Sequence, residues 1–289
     1  MSVSVIILTM DRTRDLDLCL SSLAGQLRSE DEILVVGDKK TAEADKLVLK
    51  QYTHKMPLVY HETAIHGFPR LYNLAIRKST KDVLIFINDD CEVDANFISS
   101  IKRAHVRHPT AVIQGMTHSV PKDNIYVEIM GDNYKNWLSI NMLKDKRNRM
   151  KTIDNKNVSI PRSVFKKVGY YNETLLGGSE DIEFGVRLHS TGIPIVFDPS
   201  IMVYHHERET LRGFINQHIR IAKSESMVDK MLAPAQQVHV FTWEKIFLHM
   251  SSACRREVYY LRNLRIADSL TLPLLYILLF VIRSYGYRH

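Results

Sequence analysis

No Gly-x-Gly-x-x-Gly follows the first apolar run, and no Gly-x-x-x-x-Gly-Lys-Ser/Thr occurs anywhere, so neither a dinucleotide fold nor a P-loop is supported. Cysteine is scarce. Cys19, Cys91 and Cys254 stand far apart without a Cys-x-x-Cys, which argues against a structural zinc site or a disulfide framework and favours a reducing, intracellular compartment. Long apolar runs are lacking too. The most hydrophobic stretch, Leu270 to Ile282, has thirteen residues where a spanning helix needs ~20. No basic leader or small-residue cleavage site precedes Val3, so a secretory signal is not expected. Internal repeats and low-complexity segments are also missing.

What is there is an ordinary globular composition. At 289 residues, 45% hydrophobic and 25% charged, the chain can bury one large domain, or one domain with an appendage. The net charge of +7 is unevenly placed. From Lys245 onward seven basic residues face two acidic ones, so that tail carries five of the seven charges and the front of the chain is nearly neutral. Because the same tail is rich in large apolar residues, an anionic membrane surface is the expected partner rather than nucleic acid.

The first half alternates short apolar runs with helix-period segments. Strands are expected at Val3 to Leu8, Glu32 to Val36, Leu58 to Tyr60 and Asp82 to Ile87. Helices are expected over Arg14 to Leu27, Thr41 to Gln51, Pro69 to Lys78 and Asp94 to Arg107. Strands that read apolar on both faces and alternate with helices imply a mostly parallel central sheet flanked by helices, an α/β fold of Rossmann-like type. Asn133 to Lys156 reads as a polar, irregular loop. Helices return at Arg162 to Val168 and Glu180 to Ser190, and a strand over Ile193 to Phe197 leads to Ile201–Tyr204 and His205–His206. Beyond that the chain reads as helical.

Parallel sheets bind ligands at the carboxyl ends of their strands. Those ends carry Thr9–Met10–Asp11–Arg12, Gly37–Asp38 and Asn88–Asp89–Asp90. Carboxylates in such a place are hard oxygen ligands suited to Mn²⁺ or Mg²⁺, although Asp-Asp also serves as a turn and helix cap. Gly178–Ser179–Glu180–Asp181 opens a helix; Asp181 is favoured as a general base and Glu180 as a supporting group, against a plain capping role. His205 or His206 could complete a metal site begun by a carboxylate.

The order and spacing of these motifs resemble the inverting family 2 glycosyltransferases with the GT-A fold, over roughly residues 3 to 206. Val3 to Thr9 with Asp11–Arg12 looks like the family's opening strand and donor loop. Val35–Val36–Gly37–Asp38 resembles its VVDD strand end, with Gly37 replacing an acid. Asn73 matches the family's Asn, although Tyr72 stands where Arg is usual. Phe86 to Asp90 resembles the metal motif, with Asn88 in place of the first Asp. Asn157, Gly169, Arg187–Leu188 and Gly192 recur at the family's spacing, and Pro199 precedes His205 by the six residues expected of the metal-binding His.

The resemblance implies a nucleotide-sugar donor held by Thr9, Asp11, Arg12, Asp38, Asn73 and Asp89, with a metal ion on Asp90 and His205. It also implies inverting transfer with Asp181 as base. Asp38 accepting from a base N3–H suits a UDP-sugar, with a dTDP-sugar the other choice. The expected organisation is a catalytic domain over 1–206 (nucleotide-sugar half 1–117, acceptor half 118–206) and a helical, basic and apolar region over 207–289.

Acceptor contacts are expected from Trp137, Gly178, Gln217 and Arg220. Gln217 and Arg220 look like a relic of a QxxRW motif with Ile221 where Trp belongs, which argues against a processive synthase. The acceptor is expected to be a glycan or a lipid-linked sugar. Leu270 to Ile282, flanked by Arg262, Arg265, Arg283 and Arg288, reads as an in-plane anchor on the inner face of the cell membrane, or as a homo-oligomer contact. A nucleotidyltransferase, or a non-catalytic sugar-nucleotide-binding protein, is the competing function.

Overall fold

The computed structural model describes residues 1–10, 12–40, 42–142, 149–232 and 243–288, without the side chains of 243–248 and 283–288. Two compact units result. One holds Met1–His118, Met142–Leu176 and Glu180–His206; the other holds Ser119–Asn141, Gly177–Ser179 and Glu207–His289. Residues 119–141 cluster with the C-terminal helices.

The first unit is built on β1 (Val3–Thr9), β2 (Glu32–Asp38), β3 (Leu58–Thr63), β4 (Val83–Asn88), β5 (Cys91–Val93), β6 (Val112–Ser119), β7 (Asn157–Pro161) and β8 (Ile195–His205). They form one mixed sheet in the order β3-β2-β1-β4-β7-β6-β8-β5. Its first four strands are parallel, whereas β4–β7, β6–β7 and β5–β8 pair antiparallel. All seven residues of β1 are buried, which is why it reads apolar on both faces. The helices α1 (Thr13–Leu23), α2 (Ala42–Leu49), α3 (Phe68–Lys78), α4 (Phe97–Arg107), α6 (Arg162–Val168) and α7 (Glu180–Ser190) belong to the same unit. In α1, Leu16, Cys19, Leu20 and Leu23 recur at helical spacing and are all buried, so this face docks on the sheet.

Register decides what meets at the carboxyl edge. Thr9 pairs with Gly37, and Leu8 with Asn88, so the ends of β1, β2 and β4 are level. Ile87 pairs with Asn157, which brings the residues just before β7 alongside Asn88–Asp90.

The second unit holds α5 (Ile125–Asn141), α8 (Leu211–Met231), α9 (Trp243–Arg262) and α10 (Ile266–Arg288). The helix α5 corrects the irregular loop expected from Asn133, while 143–148 lie outside the described residues. Its polar residues hid it. Its first turns bury Ile125, Val127, Ile129 and Met130, but beyond Met130 the buried residue is Asn136, which accepts from Ser252, while Glu128 and Asp132 pair with Arg256; polar tertiary partners thus help hold the later turns helical. Ile125, Ile129, Phe214, Tyr260, Leu272 and Leu275 form the core of this unit.

Candidate active site

The acidic end of β4 is held by one cation. Arg12, just ahead of α1, reaches Asp89 at 3.2 Å and also pairs with Asp90. Both carboxylates are buried. Burial pushes the Asp89 carboxyl upward; Arg12 pulls it down, and Asp90 pushes it up again. On the other side of Asp90, His205 Nε2 stands 3.3 Å from Oδ1. His206 turns away to Glu92 at 2.7 Å. A buried carboxylate and a buried imidazole this close suit a divalent cation of the manganese kind.

Each departure from the family pattern has a local partner. Tyr72, standing where Arg is usual, brings its hydroxyl to 3.5 Å from Asn88 Oδ1, so a neutral contact occupies the place of two charges. A side chain at Gly37 would begin 2.5 Å from the Tyr60 hydroxyl and 2.9 Å from a carboxylate oxygen of Asp45. The missing acid is thus matched by Tyr60 and Asp45 closing over the strand. Beside it, Asp38 accepts from the Lys40 N–H at 2.9 Å and lies 3.6 Å from His66. Thr9 is buried at the end of β1. Asp11 lies outside the described residues.

Asn73 holds the chain rather than pointing into open space. Its amide donates to the Tyr171 carbonyl and to Glu173, and its oxygen accepts from the Tyr171 N–H. The Tyr171 hydroxyl then donates to Asn155 Oδ1 at 2.8 Å, and Asn155 Nδ2 donates to Glu180 Oε1 at 3.1 Å. A hydrogen-bond chain therefore runs from α3 to the start of α7.

Asp181, next in sequence, accepts from the Ile182 N–H at 2.8 Å. Burial lifts its carboxyl to about 6; Asp154 adds to the rise, and Lys156 opposes it. Asp154 and Lys156 form their own ion pair at 2.8 Å. A carboxyl poised near neutrality is suited to accept a proton from a hydroxyl.

Asp154, Asn155, Lys156 and Tyr171 stand outside the residues that the sequence singles out, the first three lying in the stretch that reads as loop. The usable signal was Asn157: once β7 pairs antiparallel with β4, the residues before it must lie beside Asn88–Asp90.

Trp137, Gly178, Gln217 and Arg220 belong to the second unit. Trp137 stacks on Tyr134 within α5, with ring centroids 5.5 Å apart. At Gly178, where φ is +119°, a side chain would come within 3.1 Å of an Arg220 nitrogen. Gln217 lies on α8, three residues before Arg220.

The model of the family described as glycosyl transferase family 2 matches residues 4–169. A validoxylamine A glucosyltransferase of Streptomyces hygroscopicus subsp. jinggangensis is 26% identical over 223 residues, covering 67% of this chain and 52% of that protein. The chondroitin synthase of Pasteurella multocida is 24% identical over 237 residues, covering 71% of this chain and 25% of that protein. The chain spans about half the length, or less, of these curated relatives.

Among solved structures, the mannosyltransferase PcManGT of Pyrobaculum calidifontis, in complex with GDP-Man and Mn²⁺, superposes with a TM-score of 0.66 at 14% identity. The match covers 98% of this chain and 84% of that one. S. aureus TarS 1-349 with UDP-GlcNAc gives a TM-score of 0.58 at 15% identity, covering 96% and 91%. At these identities the likeness shows the fold.

Proposed function

The chain belongs to glycosyl transferase family 2, and from that premise we propose that it moves a sugar from a nucleotide-sugar to a glycan or lipid-linked acceptor, in one inverting displacement with Asp181 as general base. The acceptor hydroxyl loses its proton to Asp181 as its oxygen bonds to the anomeric carbon. The bond from that carbon to the diphosphate oxygen breaks in the same step, and the nucleoside diphosphate leaves. Arg12 offers positive charge at the edge where the diphosphate departs, and Asp38 accepts from the nucleobase, which favours a UDP-sugar. A divalent cation, Mn²⁺ or Mg²⁺, held by Asp90 and His205 would stabilise charge on the leaving group.

The supporting observation is the environment of Asp181. Asp181 is lifted to about 6 by burial, with the Asp154–Lys156 pair beside it. A carboxylate merely capping a helix needs no such setting. Glu180, tied to Asn155, keeps the first turn of α7 in place.

We further assign the second unit an attachment role. Along α10, Leu272, Leu275 and Leu279 are buried in the unit's core, while Leu270, Leu274, Ile277, Phe280 and Val281 form a second apolar stripe facing outward. No helix among the described residues is long and apolar enough to cross a membrane. An in-plane helix on an anionic leaflet, at the inner face of the cell membrane, fits this stripe and the basic tail.

Release of nucleoside diphosphate from a panel of nucleotide-sugars, with Mn²⁺ or Mg²⁺ and water as the default acceptor, tests the donor. Release is expected with a UDP-sugar. No release with any donor, together with no donor binding, would overturn the reading.

A further inference from the structure

The edge formed by β5 and β8 carries a third metal donor that sugar transfer does not use. Cys91 opens β5 and lies directly opposite His205 in the antiparallel ladder. Residues so opposed project to the same face with Cβ atoms about 4.5–5.5 Å apart. The Cys91 sulfur, a carboxylate oxygen of Asp90 and a ring nitrogen of His205 all lie within 4.8 Å of one another. All three residues are buried, at 1%, 3% and 7% exposure.

We propose that Asp90, Cys91 and His205 form a site for a thiophilic divalent cation of the zinc class, with Cys91 Sγ as a ligand. In this site that cation competes with the harder ion at two shared residues. Carboxylate oxygen suits Mg²⁺ and Mn²⁺, imidazole suits zinc, and thiolate selects zinc and softer ions. A hard ion therefore takes Asp90 and His205 and leaves the sulfur alone. A zinc-class ion recruits it, making three protein ligands and one open position in a tetrahedron.

Bonds of about 2.0–2.3 Å in such a tetrahedron space the donors roughly 3.3–3.8 Å apart; Asp90 Oδ1 and His205 Nε2 already stand at 3.3 Å, so it is the sulfur that draws in, from within 4.8 Å of both. The thiol proton leaves to solvent as the sulfur–metal bond forms, and two anionic ligands then balance the dication. Asp89 is outside this set and keeps its contact with Arg12. One cluster thus has two ligand sets, chosen by the softness of the ion.

Cobalt(II) is the probe, because sulfur ligation gives it a charge-transfer absorption that oxygen and nitrogen do not. Cys254 is exposed, so the titration uses the full chain carrying Cys254→Ser, without donor or acceptor. The expected result is a near-ultraviolet sulfur–cobalt band that saturates at one cobalt per chain and is displaced by zinc. Cys91→Ala and Cys91→Ser should both lose the band, while Cys19→Ala keeps it. In the two Cys91 variants zinc affinity should fall by at least ~10-fold, with Mn²⁺ affinity unmoved and circular dichroism unchanged. Cobalt binding without the band, no cobalt binding, a band that survives both substitutions, or zinc and manganese affinities falling together would each overturn the proposal. None of these readouts depends on sugar transfer.

Discussion

The Arg12 guanidinium stands 3.2 Å from the Asp89 carboxylate and also pairs with Asp90, so both acids after β4 share one cation from the start of α1. The chain segment that follows the first strand therefore shares the carboxylates on which the proposed metal ion would depend. Any cation entering there meets a competitor already in contact.

Arg12→Gln should raise Mn²⁺ affinity measured without nucleotide and weaken nucleotide-sugar binding. The guanidinium is 22% exposed, so solvent screens part of its pull, and a change of about tenfold each way, worth ~1.4 kcal/mol, is expected. Electron paramagnetic resonance reads the free manganese, and calorimetry reads the donor. If both affinities move the same way, Arg12 and the metal do not compete.

Turnover should rise with pH along a limb near 6, because Asp181 must be ionised to accept a proton and its carboxyl is lifted to about 6. Asp154 disfavours a second anion, so Asp154→Asn should move the limb to lower pH. Lys156 favours the anion, so Lys156→Met should move it up. Shifts of roughly one unit are expected. The pH profile of kcat/KM measures them, and shifts of the same sign would contradict the assignment.

Asn155→Ala breaks the bonds to both Tyr171 and Glu180. Leaving buried polar groups without partners costs about 1–3 kcal/mol, so thermal unfolding should move down. If the hydrogen-bond chain sets the start of α7, kcat falls further than the loss of folded protein explains, with KM little changed. Equal specific activity per folded molecule would show that Asn155 serves stability alone.

Replacing Leu274, Ile277 and Phe280 together by Ser should leave the fold intact, since these side chains are 65%, 62% and 54% exposed. Flotation with phosphatidylglycerol vesicles should be lost in this variant and present in the parent chain. Leu275→Ala, by contrast, opens the core and should cost about 2–5 kcal/mol of stability. A parent chain that ignores vesicles, and turns from dimer to monomer on the triple substitution, would make the stripe an interface between copies.

The strands and first helices were legible because burial on both faces leaves long apolar runs, as in Val3–Thr9. The acidic edge could be read because strand ends are marked by abrupt polarity at Thr9, Asp38 and Asn88. Three things were not. The helix α5 is held by Arg256 and Ser252, more than 100 residues away, and no local periodicity reports such partners. The setting of Asp181 depends on antiparallel pairing of β7 with β4, which brings Asp154 to Lys156 to the site although they sit in polar text. Asn73, which the resemblance assigns to the donor, is also bonded three times to residues 171 and 173, nearly 100 positions on, a pairing that no local spacing reports.

The most direct measurement separates binding from chemistry in Asp181→Asn. Titration calorimetry gives the affinity for a UDP-sugar, and diphosphate release at pH 7.5 or so gives turnover. A base acting on the acceptor predicts affinity within about threefold of the parent and turnover down by ~10²–10⁴-fold. Turnover unchanged by the substitution, or affinity lost in step with it, would contradict the account.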